Sequence, residues 1–105
     1  MPDAQPEVTL VTMSFDVADD ATFLEAAARY VVLTRRQDGC RNVDLAASAT
    51  VPGRYVVIQK WASPGAQRAH FDHPETVAFA EACRRCLREP PTLDLLHGLS
   101  AHDLA

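Results

Sequence analysis

Two kinds of run are missing from this sequence. No stretch of lysine and arginine is interleaved with aromatic residues, and uninterrupted aliphatic stretches reach only three residues or so. The first absence, with a formal net charge of −4, argues against nucleic acid as a partner. The second leaves no segment for a membrane, which needs about 20 apolar residues in a row. The densest basic cluster, Arg84, Arg85 and Arg88, is flanked by Glu81 and Glu89 and reads as a solvated helix face. Residues 1–7 carry two prolines and acidic groups but neither a basic n-region nor an apolar h-region, so no signal peptide is expected. Cysteine is scarce, and its count of three is odd. Free thiols in a reducing cytoplasm fit that better than a disulfide framework. Glycine is also scarce, with four isolated residues at positions 39, 53, 65 and 98. NAD, flavin and ATP therefore have no recognisable glycine-rich cradle, and no cofactor is expected.

What is present is ordinary for a globular chain: 105 residues, 48% hydrophobic and 23% charged. That length predicts a single domain over 1–105, with flexible ends at 1–6 and 101–105. Residues 7–17 predict a strand covered on both sides, because Val8 and Leu10 point one way and Val11, Met13, Phe15 and Val17 the other. Asp19 and Asp20 offer an N-cap, and Phe23, Ala27, Tyr30 and Thr34 recur at helical spacing across 21–36. Arg35 and Arg36 suit the end of that helix, and Gly39 terminates it. A second strand is expected over 41–51, a Pro52-Gly53 turn, and then the clearest strand, 54–61, rich in β-branched and aromatic residues. Ser63 and Pro64 begin a short helix, which His73 and Pro74 break. A longer helix follows to about Leu87, with Phe79, Cys83 and Cys86 on its apolar stripe. After Pro90 and Pro91, a last strand is expected over 92–100.

The order is β-α-β-β-α-β, an α+β ferredoxin-like split pattern. It implies an antiparallel four-stranded sheet with helices on one face. The other face is apolar in at least two strands, and exposed patches of that kind are rare on monomers. A second copy of the chain is the economical cover, so a homodimer is expected.

Gly39-Cys40 after the first helix, Trp61 followed by Ser63, Ala66 and His70, Phe79 in the next helix and Phe23 in the first together resemble the antibiotic biosynthesis monooxygenase family. The resemblance spans about residues 7–100 and implies a dimeric α+β barrel. It also implies oxygenase chemistry on a small aromatic molecule with molecular oxygen. Gln59 departs from the acid that often stands two residues before the tryptophan. Haem-degrading members of the superfamily are expected to use a first-strand asparagine; Asn42, on the second strand, is the only asparagine here, so haem degradation is disfavoured and haem binding is kept as a third reading. The asparagine of quinone-forming members is replaced by Val57.

Without a cofactor, the substrate must supply the electrons. A deprotonated phenol or dihydroxy-aromatic can reduce oxygen directly, given an apolar cavity, a base and donors for the anion. His70 is the candidate base, since an ordinary imidazole titrates near neutrality. Its competing role is to pin the short helix to the sheet. Trp61 could stack on an aromatic substrate or equally be a structural core residue, with Tyr55 and Gln59 sharing its strand face by period-two spacing. Met13, Phe15 and Phe79 could wall the cavity, with core packing the favoured reading for each, and His97 could line the cavity or the dimer seam. His73 is expected to cap a helix or lie exposed, with substrate contact as its other possible role. His70-x-x-His73 and Cys83-x-x-Cys86 have zinc-like spacing. Both cysteines, however, fall on an apolar stripe where Cys packs as a small hydrophobe, so no metal is expected. The leading function is a cofactor-independent monooxygenase acting on a small phenolic, quinol or polyketide-like aromatic. The alternative is a non-catalytic small-molecule-binding dimer of the same fold.

Overall fold

The computed structural model describes residues 8–100. The expected loose ends at 1–6 and 101–105, and His102 in the tail, lie outside the described residues. In chain order the elements are β1 (Thr9–Asp16), α1 (Asp20–Thr34), β2 (Cys40–Ala47), β3 (Arg54–Trp61), α2 (Pro64–Phe71), α3 (Pro74–Cys86) and β4 (Thr92–His97). The strands form one antiparallel sheet in the order β2-β3-β1-β4. This is the ferredoxin-like arrangement that the order of elements implied.

Local chemistry sets each boundary. Asp19 accepts from the Thr22 backbone at 3.2 Å and from its hydroxyl at 2.6 Å, satisfying one of the free N–H groups at the start of α1. The helix buries Phe23, Ala27, Tyr30, Val31 and Thr34, the face its spacing predicted. Rather than serving only the helix end, Arg35 donates to the Val43 carbonyl at 2.7 and 3.2 Å and ties α1 to β2. Gly39 follows at φ +80, where a Cβ would also run into the Ala66 side chain. Its missing side chain lets α2 approach the start of β2.

Two strands are shorter than expected. β2 stops at Ala47 because the Ser48 hydroxyl accepts from the backbone of Thr50 (3.2 Å) and Val51 (2.9 Å), drawing the chain into a turn. β4 stops at His97, where Gly98 N–H closes onto the Val8 carbonyl at 2.7 Å.

In β1 buried positions alternate with partly covered ones, and in β3 with partly covered or exposed ones. Val11, Met13, Phe15, Val57, Gln59 and Trp61 face the helices and are buried. Phe15, Phe23 and Phe79 pack at centroid distances of 5.1 to 6.1 Å. Each such ring contributes about 1.5–3 kcal/mol through burial. The opposite sheet face is more mixed than the sequence suggested. Leu10, Val56, Ile58 and Leu96 lie there with Asp44, Lys60 and Asp94, as the strand register requires. On the helix-side face of β4, Leu93 pairs with Met13 and Leu95 with Val11. Both leucines are nevertheless exposed, because the helices leave this edge of the sheet uncovered.

Candidate active site

Between the helix-side face of the sheet and α1, α2 and α3 lies a cavity of about 580 Å³. Its apolar wall includes Val11, Met13, Phe15, Phe79, Cys83 and Leu87. Its polar groups gather at two ends. Tyr30, Gln59, Gln67, His70 and Thr76 form one, and Arg84, Arg88 and Glu89 form the other.

Each side chain of the inner polar group is delivered by a different local rule. His70 rides on α2, whose first turn is held by the Ser63 hydroxyl, which accepts from Ala66 N–H at 3.1 Å, and by Pro64 at the helix start. Gln67 and His70, three residues apart, are the two buried positions of that helix. Tyr30 comes from the buried stripe of α1. Gln59 and Trp61 are two apart on β3 and share a face. Thr76 sits in the first turn of α3, which His73 caps by accepting from Glu75 N–H at 3.1 Å.

These groups form a connected hydrogen-bond chain. Trp61 Nε1 donates to Gln59 Oε1 at 2.9 Å. Gln59 Nε2 donates to the Tyr30 hydroxyl at 2.5 Å. That hydroxyl lies 2.6 Å from His70 Nε2, and His70 Nδ1 lies 2.7 Å from Gln37 Oε1. The Thr76 hydroxyl donates to the His70 carbonyl at 2.7 Å and stands 3.2 Å from Nε2. Tyr30 stacks on Phe79 at 4.3 Å, and His70 stacks on Trp61 at 4.6 Å.

This end of the cavity is polar but uncharged at neutral pH. Burial lowers the His70 pKa to about 4, with His73 nearby adding to the effect. Burial also pushes the Tyr30 phenol up to about 12, against the lowering effect of its hydrogen bonds, Gln59 foremost. The ordinary imidazole pKa assumed from sequence is thus displaced by desolvation, and His70 is a neutral acceptor. A pH dependence of stability follows. In the unfolded chain His70 takes up a proton below about 6.5, and in the fold only near 4. Its contribution is therefore fully present above 6.5 and is lost as pH falls toward 4. With allowance for solvent screening, the loss is about 2 kcal/mol. Urea midpoints for wild type and His70→Gln should converge across that interval; parallel curves would show that His70 titrates normally.

Some of the residues singled out in the sequence reach the cavity and others do not. Met13, Gln59, His70 and Phe79 line the cavity. Trp61 is fully buried and lies behind His70, outside the cavity wall. Tyr55, on the same strand face as Trp61, packs on Phe23 at 5.0 Å and donates to Asp20 at 3.2 Å, away from the cavity. His73 borders a separate outer depression with Arg36, Gln37, Asp38 and Glu75. His97 pairs with Thr9 on exposed β4 and is not part of the cavity wall. Burial raises the Cys83 thiol to about 12, and Cys86 is buried beside it in α3. Among the described residues, no group of three or more His, Cys, Asp or Glu stands in metal-binding reach.

Tyr30, Thr76 and Gln37 were not recognised from sequence. Tyr30 offered one signal: a phenol on a buried stripe must find a polar partner. Thr76 and Gln37 offered none.

Known proteins with this architecture are numerous. A Nitrosomonas europaea protein provisionally named an antibiotic biosynthesis monooxygenase superposes with a TM-score of 0.83 at 21% identity, over 94% of this chain and 97% of its own. A similarly named Caulobacter crescentus protein gives 0.84 at 21% identity, over 90% and 92%. A Mycobacterium tuberculosis protein gives 0.81 at 22% identity, over 91% and 99%. At these identities the likeness shows the fold alone. No curated protein sequence matches the chain. The sequence pattern of the family described as antibiotic biosynthesis monooxygenase matches residues 8–82, from the start of β1 through most of α3, including Trp61, His70 and Phe79. On that match, over an architecture held in common, this chain belongs to the antibiotic biosynthesis monooxygenase family.

Proposed function

We propose that this chain is a cofactor-independent monooxygenase acting on a small phenolic, quinol or polyketide-like aromatic, with His70 as proton acceptor. One observation carries the reading. The cavity is apolar and aromatic along its length, and at one end it holds uncharged groups that can exchange a proton, Tyr30 and His70. A flat aromatic ring fits such walls. Its phenol would meet Tyr30, whose hydroxyl passes a proton on to His70 Nε2. The electron-rich anion left behind supplies the electrons for oxygen. Neutral surroundings favour a neutral phenol on entry, and its proton moves only inside the site. The test is oxygen uptake with a panel of hydroquinones, before and after exhaustive removal of metals and flavin. Turnover unchanged by that removal is expected; no uptake with any member would sink the reading.

One feature favours the alternative of binding without turnover: His70 is already satisfied at both ring nitrogens. Thermal stabilisation by panel compounds that are never oxidised would establish it.

The reading includes a homodimer. Ile58 and Leu96, 39% and 40% exposed, lie on the helix-free face, and Leu93 and Leu95, 45% and 53% exposed, lie on the uncovered helix side of the β4 edge. A second copy laid there would remove that surface from water. Sedimentation equilibrium should give twice the chain mass at micromolar concentration. A monomer at high concentration would end this part of the proposal.

A further inference from the structure

The hydrogen-bond chain behind the cavity has a direction, and its origin is Trp61. An indole N–H can only donate. It therefore fixes Gln59 Oε1 as its acceptor and turns the Gln59 NH₂ toward Tyr30. Tyr30 oxygen is then an acceptor, and its own hydrogen must go elsewhere. Thr34 and Thr76 also stand near this hydroxyl, but the short contact, which takes the hydrogen, is His70 Nε2 at 2.6 Å. Thr76 cannot compete as a donor there, because its hydrogen is spent on the His70 carbonyl at 2.7 Å. Nε2 must then carry a lone pair, and a neutral ring keeps its hydrogen on Nδ1. At Nδ1 stands Gln37 Oε1, 2.7 Å away. The orientation of Gln37 has a cost, since its Nε2 is buried without a partner.

We propose that Gln37 is a positioning residue for His70. By accepting from Nδ1, it holds the imidazole in the Nδ1–H tautomer and aims the bare Nε2 at the cavity through Tyr30. In catalysis, the substrate O–H bond breaks, its proton goes to Tyr30 oxygen, and Tyr30's own proton goes to Nε2. The products are a substrate anion and an imidazolium held at Nδ1 by Gln37. This catalytic half rests on the oxygenase reading; the tautomer does not. A carboxylate at position 59 would accept from both Trp61 and Tyr30, turning the Tyr30 hydrogen away from His70. Glutamine at this position gives the chain its direction.

The groups around His70 make the proposal specific. Tyr30 faces it from α1, Trp61 from β3 and Thr76 from α3. On the outer side, Arg36, Asp38, His73 and Glu75 share a depression with Gln37 and with His70 itself. A carboxylate replacing the Gln37 amide would be the one negative group placed directly against Nδ1.

Long-range nitrogen-proton NMR correlation on ¹⁵N-labelled protein reads the tautomer of each histidine, with His70→Gln identifying the signal. Wild type should show His70 as Nδ1–H at neutral pH. Gln37→Glu should raise its titration midpoint by about one unit or more, as a carboxylate partner does. Gln59→Glu should shift the ring toward Nε2–H. For any quinol that wild type oxidises, Gln37→Met should lower kcat on the order of 10²-fold with little change in KM, within what a misplaced tautomer costs an imidazole base. An Nε2–H ring in wild type, or an unmoved midpoint in Gln37→Glu, overturns the proposal. The NMR results decide this even if wild type oxidises nothing, so failure here is distinct from failure of the oxygenase reading.

Discussion

With a quinol that the wild-type protein oxidises, His70→Ala is expected to lower kcat by about 10²–10⁴-fold, the range supplied by a positioned acid or base. Tyr30→Phe should cost a similar factor. Its hydroxyl is both the group facing the cavity and the link to Nε2, 2.6 Å away. Phenylalanine keeps the ring that stacks on Phe79 at 4.3 Å, so the cavity's apolar shape should survive. Stopped oxygen-electrode rates, with urea melts as controls for folding, make the comparison. Two folded variants that retain the wild-type rate would show that the reacting proton leaves by another route.

Trp61→Ala should be the most destabilising single change at the site, and its loss should show in folding before it shows in binding. The side chain is fully buried, and truncating a buried tryptophan to alanine costs about 3–5 kcal/mol. Gln59 Oε1 would also lose its donor, adding about 1–3 kcal/mol for an unsatisfied buried acceptor. That sum is a large fraction of the stability of a domain this size. Trp61→Phe keeps most of the bulk and the stack on His70 but not the N–H. It should unfold at a urea concentration between those of wild type and Trp61→Ala. Ligand affinity in the folded Trp61→Phe protein should stay close to wild type, because the indole lies outside the cavity. A large loss of affinity without loss of stability would instead mark Trp61 as a substrate-stacking wall.

Much of the frame was legible because local rules were strong where they applied. β3 spans 54–61 as its run of β-branched and aromatic residues implied. Ser63-Pro64 and His73-Pro74 start their helices as cap and first-turn pairs should. Where the expectation failed, a side chain or a missing neighbour outweighed the pattern. Ser48 captured two backbone N–H groups and ended β2 early. Leu93 and Leu95 alternate like buried residues yet lie open, because no helix reaches that edge.

The site divides along the same line. Period-two spacing correctly put Tyr55, Gln59 and Trp61 on one face, and the apolar stripe correctly buried Cys83 and Cys86. Neither could say which of these residues border empty space. From the sequence alone follow the order of elements, the face each residue takes and the likeness to a family, since all three depend on neighbours along the chain. Only the packed structure brings Tyr30, Gln37, Gln59 and His70 from four separate segments into one directed chain. Only packing, too, lowers the imidazole pKa to about 4, because desolvation depends on the surroundings that folding builds and not on the residue itself.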